Sequence, residues 1–325
     1  MWTSWRRNFF LSIRAINPGA PVVAFKSSFL LFPFPIRLHP DYVELSVAEI
    51  HEAVRLALTE DIGSGDATTL AIVPETATAR AVMRAREPLV VAGLAFAEAA
   101  FAELSFAIQV ERLAKDGQHA NASEILLRVS GPARAILSAE RVALNFVQRL
   151  SGVATLTAQF VDAVKGTRAQ ILDTRKTTPG WRRFEKYAVT CGGGKNHRLG
   201  LFDMILIKDN HLAALKNEKS NAIAAAVARA CEKFPKLKIE VEADTLEQAE
   251  QAADAGADII LLDNMNPIQL RLAVQKVKGR AQTEASGGVN PGNVHAIAES
   301  GVDFISVGAL THSARAMDIG LDFED

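Results

Sequence analysis

Apolar residues fall three and four apart behind Ser46: Ile50, Val54 and Ala57, flanked by Leu56 and Leu58. Glu49 stands three residues after Ser46, a pairing that satisfies free amides at a helix start, so a helix is predicted over about 46–60. Beyond it, β-type runs "ATARAVMRA", "SFAIQVERL" and "EILLRVSG" surround a helical "GLAFAEAAFAEL". Strands and helices mixed without a repeat predict an α+β region. Val142, Phe146, Leu150, Val153, Leu156, Phe160 and Val164 again step by three or four, predicting a long helical region from Ser138 to Val164 with a break at Ser151-Gly152.

After residue 168 the pattern becomes rhythmic. Short apolar strands "AQILDT", "DMILIKDN", "KIEVEA", "DIILLDN", "AQTEAS" and "DFISVGA" alternate with amphipathic segments such as "NAIAAAVARACEKF", "TLEQAEQAADAG" and "NPGNVHAIAESG". This predicts a parallel α/β barrel or doubly wound sheet. Each strand ends on a polar or glycine residue: Asp173 followed by Arg175 and Lys176, then Lys208, Glu242, Asp263, Glu284 followed by Ser286-Gly287-Gly288, and Gly308. In a barrel the C-terminal strand ends converge on one mouth, where active sites are built. One strand-end charge is ordinarily a solvated loop residue; agreement across the set predicts an enzyme.

Composition narrows the partner. The 325 residues carry a formal charge of -1 and a pI near 6.7, which excludes holding nucleic acid by bulk phosphate neutralisation. Cys191 and Cys231, without a CxxC or a nearby histidine pair, exclude a disulfide framework and a zinc site. Residues 1–40 stand apart, with Arg6, Arg7, Arg14, Lys26 and Arg37 and no acid before Asp41. This head reads as an organellar targeting segment or as sequence upstream of the true start, and in either case as outside the fold.

Against that neutral background, residues 173–200 gather seven lysines and arginines against two acids. Arg141, Arg175, Lys176, Arg198 and Lys208, with His197, predict an electropositive pocket for a small ligand bearing several carboxylates or phosphates. Glu242 and Asp263 at the same mouth suit Mg²⁺ or sugar hydroxyls. In "SGGVNPGN" a glycine pair follows a strand and precedes a predicted helix capped by Asn290 with Pro291 first, an arrangement that lets backbone amides approach a phosphate.

Read in order, "LTEDIGSGDATT", "ERVALNFVQRLSGVATLT", "DTRKTTPG", "GGGKNHRLGLFDMILIKDNH", "EVEADTLEQ", "ILLDN", "SGGVN" and "VGALTHS" resemble the quinolinate phosphoribosyltransferases over residues 41 to about 318. The resemblance implies an N-terminal α+β sandwich domain over 41–150 that can receive C-terminal residues and, over 151–325, an irregular α/β barrel with fewer than eight parallel strands. It implies phosphoribosyl transfer from phosphoribosyl pyrophosphate to quinolinate, giving nicotinate mononucleotide, pyrophosphate and CO₂ for NAD synthesis, with Mg²⁺, in a cytoplasmic homodimer or an organelle if residues 1–40 direct import. By motif, Arg175, Lys176, His197, Arg198 and Lys208 would line the quinolinate and phosphate pocket, and Arg141 would enter from the other subunit. Lys176, Glu242 and Asp263 would be catalytic, the two acids lying near ribose and metal. Ser286, Gly287, Gly288 and Gly308 would hold the 5′-phosphate. The alternatives are a related pyrophosphorylase-like protein with another acceptor, or a silent binding protein on the same fold. Cys191 is expected to be filler.

Overall fold

A computed structural model describes residues 43–215 and 221–324. The head at 1–40, with its targeting reading, lies outside the described residues. Helix α1 (Val47–Ile62) opens on the expected cap: the Ser46 hydroxyl accepts from the Glu49 amide and the Glu49 carboxylate accepts from the Ser46 amide. Its buried stripe is narrower than the pattern suggests, with Val54 and Leu58 inside and Leu56 67% exposed. A short helix α2 (Ala67–Ile72) follows, capped by Asp66. Then come β1 (Thr78–Ala85), β2 (Leu89–Val90), α3 (Leu94–Leu104), β3 (Gln109–Arg112), β4 (His119–Ala120) and β5 (Ile125–Pro132).

Helix α4 (Ala133–Ala163) runs unbroken for 31 residues, so the expected break at Ser151-Gly152 is absent. Gly152 serves close approach instead: a Cβ there would lie 1.9 Å from the Arg315 carbonyl oxygen. Ser151 is likewise committed to packing, its hydroxyl accepting from the Ala92 amide at 3.0 Å. Phe146 of this helix stacks between Phe96 and Trp181, with ring centroids 4.7 and 5.0 Å away. That stack ties α3 and α4 to the segment leading into the second half.

The rhythmic half alternates as read. The chain runs through β6 (Gln170–Leu172), α5 (Arg182–Cys191), β7 (Ile205–Ile207), α6 (Asp209–Ala213), α7 (Ala222–Lys233), β8 (Ile239–Ala243), α8 (Leu246–Asp254), β9 (Ile259–Asp263), α9 (Pro267–Val277), β10 (Gln282–Ser286), α10 (Val294–Ala298), β11 (Phe304–Ser306) and α11 (Ala309–His312). The six strands form one parallel sheet ordered β6-β11-β10-β9-β8-β7. Among the described residues no ladder joins β6 to β7; a single parallel bridge from Leu172 to Lys195 lies on the free side of β6. Helix α10 begins at Val294, three residues later than predicted, because Asn290 accepts the Gly292 amide and closes a turn rather than capping a helix.

The last strand, β12 (Ile319–Glu324), returns to the first half and pairs antiparallel with β1, giving a sheet ordered β12-β1-β5-β3. The two sheets thus divide the chain into an antiparallel layer and a parallel, barrel-like body. Among the described residues no helix is long and apolar enough to cross a membrane.

Candidate active site

Alternation along a strand decides which side chains reach the mouth and which stay inside. On β8, Glu242 is two residues beyond Glu240; on β10, Ser286 is two beyond Glu284. Each upper residue is half-buried and each lower one is fully buried. The site therefore has two tiers, a mouth and a polar floor.

At the mouth Arg175 and Arg198 are half-buried, and the Nε of each is buried without a partner. Burial first, then the neighbouring Arg175 charge, holds the Arg198 guanidinium below its ordinary pKa. Its Nη1 donates to the Met204 carbonyl at 3.1 Å. Lys208 pairs with Glu242, and Asp263 stands close enough that burial, then the Glu242 charge, raises its carboxyl; Lys208 and Lys176 oppose the rise. Asn264 donates to Asp263 at 2.5 Å. Lys176, Lys208, Glu242 and Asp263 therefore share one electrostatic field.

Gly287 and Gly288 have φ of 93° and 61°, in the left-handed region that favours glycine. A Cβ at Gly287 would also lie 2.1 Å from Asn264 Oδ1. The Asn290 and Asn293 side chains both donate to the Gly288 carbonyl, at 3.1 and 3.0 Å, which fixes the loop beyond half-buried Ser286. A Cβ at Gly308 would meet the Lys176 stem at 3.0 Å and the His312 ring at 3.2 Å. The structure thus brings the β11 end against Lys176 and the turn after β10 against Asn264 at the β9 end.

Other residues singled out from the sequence sit elsewhere. Arg141 is exposed on α4, with no hydrogen-bond partner among the described residues. His197 turns its ring into the floor, where Nε2 lies 2.9 Å from Glu240. Asp173 and Glu284, read as mouth residues, are fully buried. Asp173 pairs with buried Lys186 and also accepts from the Asn196 side chain at 2.7 Å and the His197 amide at 2.9 Å. Burial raises the Asp173 carboxyl and lowers the Lys186 ammonium, and the pairing and these bonds oppose that cost in part. Burial, then Asp116, pushes the Cys191 thiol up to about 12, which leaves it inert as a nucleophile and fits a filler.

The sequence reading missed the braces behind the mouth. Arg149 of α4 donates to buried Glu185 at 2.7 Å and to the Thr311 and Ala314 carbonyls, each at 2.5 Å. Glu185 in turn accepts the Thr178 amide and hydroxyl at 2.9 and 2.8 Å, and Thr311 donates to the Lys176 carbonyl at 2.6 Å. Lys186, Glu185 and Arg149 carry no signal that separates them from solvated charge. A second cavity of about 560 Å³ opens at the opposite ends of the strands, but Arg168 and Arg280 there already pair with Asp303 and Asp254.

The family model described as "Quinolinate phosphoribosyl transferase, N-terminal domain" matches residues 66–151, and its C-terminal counterpart matches 153–322. A nicotinate-nucleotide pyrophosphorylase (carboxylating) of Mycobacterium leprae is 46% identical over 278 residues, 83% of this chain and 96% of that protein. The chloroplastic counterpart of Arabidopsis thaliana is 41% identical over 302 residues, 88% of this chain and 84% of that protein. The structure of the nicotinate-nucleotide pyrophosphorylase from Francisella tularensis aligns with a TM-score of 0.81 at 39% identity, covering 86% of this chain and 98% of that one. With both halves matched, and relatives at this identity covered over most of their own length, the chain belongs to the quinolinate phosphoribosyltransferase family.

Proposed function

We infer that the protein transfers a phosphoribosyl group from phosphoribosyl pyrophosphate to quinolinate with decarboxylation, a pentosyl transfer that yields nicotinate mononucleotide in de novo NAD synthesis. Within this family, the observation that carries the substrate reading is the Arg175–Arg198 pair: two like charges held together, each with a buried Nε lacking an acceptor. A planar dicarboxylate supplies the missing acceptors in fork geometry.

Held there, quinolinate presents its ring nitrogen to the anomeric carbon. Displacement builds positive charge on the sugar, which Glu242 and Asp263 stabilise electrostatically, while Lys176 and Lys208 offset the charge of departing pyrophosphate. The N-alkylated ring then accepts the electron pair of the bond to the 2-carboxylate; CO₂ leaves and a proton takes its place on the ring carbon. The SGG turn and Gly308, where side chains would collide with Asn264, Lys176 and His312, leave room for the 5′-phosphate. Glu242 and Asp263 are hard oxygen donors whose mutual repulsion a divalent cation would relieve, so they fit Mg²⁺. Bound Mg²⁺ would supply further neutralisation of the pyrophosphate charge.

The test is direct: purified protein with quinolinate, phosphoribosyl pyrophosphate and Mg²⁺ yields nicotinate mononucleotide and CO₂ in equal amounts, and no product overturns the reading. Arg141, exposed and without a hydrogen-bond partner among the described residues, is read as entering the site of a second subunit in a homodimer. Mixing inactive Arg141→Ala and Lys208→Ala subunits then restores activity, since one site of each hybrid lacks both changes. No recovery after verified subunit exchange would remove the shared site.

A further inference from the structure

The floor of the site poses a charge problem that the mouth does not explain. Inward-facing residues of a barrel stack in layers, and the layer beneath an active site is ordinarily apolar. Here it holds His197, Glu240 and Glu284, whose facing nitrogen and oxygen atoms lie within 4.8 Å of one another. Both carboxylates are fully buried. Neither oxygen of Glu284, nor Oε1 of Glu240, has a well-formed hydrogen bond as a carboxylate, although the Ser306 hydroxyl is near enough to favour the Glu284 charge. The one ring of the cluster serves both: His197 Nε2 lies 2.9 Å from Glu240 and 3.7 Å from Glu284.

Two explanations fit three converging donors, a divalent cation or a shared proton, and His197 decides between them. Its Nδ1 accepts the Arg198 amide hydrogen at 2.8 Å, so that nitrogen carries a lone pair and the ring proton resides on Nε2. A nitrogen bearing a proton donates to Glu240 Oε2 and has no lone pair for a metal. Burial opposes charging of the ring, and Glu284 and then Glu240 outweigh it and raise its pKa; against that rise stands the Arg198 amide, whose hydrogen bond needs the Nδ1 lone pair and so favours the neutral ring. With His197 neutral, two ionised carboxylates would face each other unscreened inside the barrel. One proton on Glu284, directed at Glu240, removes the repulsion and gives an orphaned oxygen a partner. Burial, then the Glu240 charge, supports this by pushing Glu284 up to about 8, against His197 and the Ser306 hydroxyl.

We propose that Glu284 is a neutral carboxylic acid that donates to Glu240, and that the chain Glu284–Glu240–His197 is a positioning device for Arg198. The ring end of the chain is His197 Nδ1 on the Arg198 amide; its backbone end is the His197 carbonyl, held by Lys186 at 2.9 Å. Arg198 follows directly, so the seat of its guanidinium depends on a floor residue that touches no substrate. The positioning role rests on the phosphoribosyltransfer reading; the protonation does not.

The experiment pairs an isostere with a truncation and adds a spectroscopic readout. Glu284→Gln replaces the acid by an amide that still donates to Glu240, and should keep kcat and the quinolinate KM within about twofold of the parent. Glu284→Leu leaves Glu240 Oε1 without a donor and should raise the quinolinate KM by about tenfold or more with a smaller change in kcat, a split that lost stability alone would not give. Infrared spectra of the substrate-free protein near pH 6 should show a protonated carboxyl band that disappears in Glu284→Gln. Absence of that band, stoichiometric metal that the parent retains and Glu284→Gln loses, or Glu284→Gln as impaired as Glu284→Leu would each overturn the proposal. If Glu284→Leu does not fold, the infrared band and Glu284→Gln decide. The infrared result stands whether or not quinolinate is the acceptor, so the two readings can fail separately.

Discussion

Arg175 and Arg198 are rigid forks, whereas Lys176 and Lys208 are point charges on flexible stems, and the reading assigns the first pair to carboxylates and the second to phosphate. Arg175→Lys keeps the charge and removes the fork, so kcat/KM for quinolinate should fall at least about tenfold, about 1.4 kcal/mol of lost transition-state stabilisation. Unchanged kinetics would take Arg175 out of the carboxylate site. Nicotinate, with one carboxylate fewer, leaves a buried guanidinium unpaired and should be a very poor acceptor. Below the mouth, Glu284 gives stability a pH dependence. The folded chain holds its proton up to about 8, while an unfolded glutamate releases it near 4.5. Between those values the folded state binds more protons, so this group makes stability fall as pH rises through the interval and level off above it. Denaturant midpoints at about pH 5 and about pH 8 should therefore diverge less in Glu284→Gln than in the parent; identical divergence would contradict the assignment. Charges at the mouth were legible in the sequence because they cluster at strand ends. Lys186 and Glu185 were not, because a buried, compensated charge is spelled like a solvated one.

At the scale of elements, the six parallel strands were legible because each is an apolar run punctuated by polar or glycine residues, and the helices between most of them keep a clean 3.6-residue period. Helix α5 was not, since "RRFEKYAVTC" interrupts its period with Glu185 and Lys186, both turned inward to hold the mouth. Asp173 and Glu284 were placed one tier too high for a related reason: alternation gives a face, not a depth. The misread break in α4 yields a test with a sign. In an exposed helix, glycine to alanine gains about 1 kcal/mol. At Gly152 the added carbon would collide with the Arg315 carbonyl, so Gly152→Ala should destabilise the protein by about 2 kcal/mol or more. A stabilised variant would show that the 315–317 segment yields freely. Arg149 grips the carbonyls of Thr311 and Ala314 just upstream, which argues that it does not.

For the whole molecule, the antiparallel sheet is assembled from both ends of the described chain: Arg80 lies opposite Glu324 and Ala85 opposite Ile319. Asp322 reaches back to Arg84 and Arg86 across that seam, so the outermost strand is charged as well as paired. The resemblance implies that C-terminal residues return to the N-terminal domain, but nothing in "DIGLDFED" separates such a strand from a tail, which is why its register on β1 was unreadable. The pairing also sets a schedule. A ribosome delivers β1 more than two hundred residues before β12, so through that interval one edge of β1 offers unpaired amides and carbonyls beside Ala81, Val82 and Met83, residues buried in the finished fold. The nascent chain spends that interval able to add a strand from a neighbour, and it loses the ability only once β12 has emerged and paired. Deleting residues 319–325 would make the interval permanent: the truncated protein should pellet on expression while retaining the whole parallel body, and a soluble, monodisperse product would show that β1 is guarded by something other than β12.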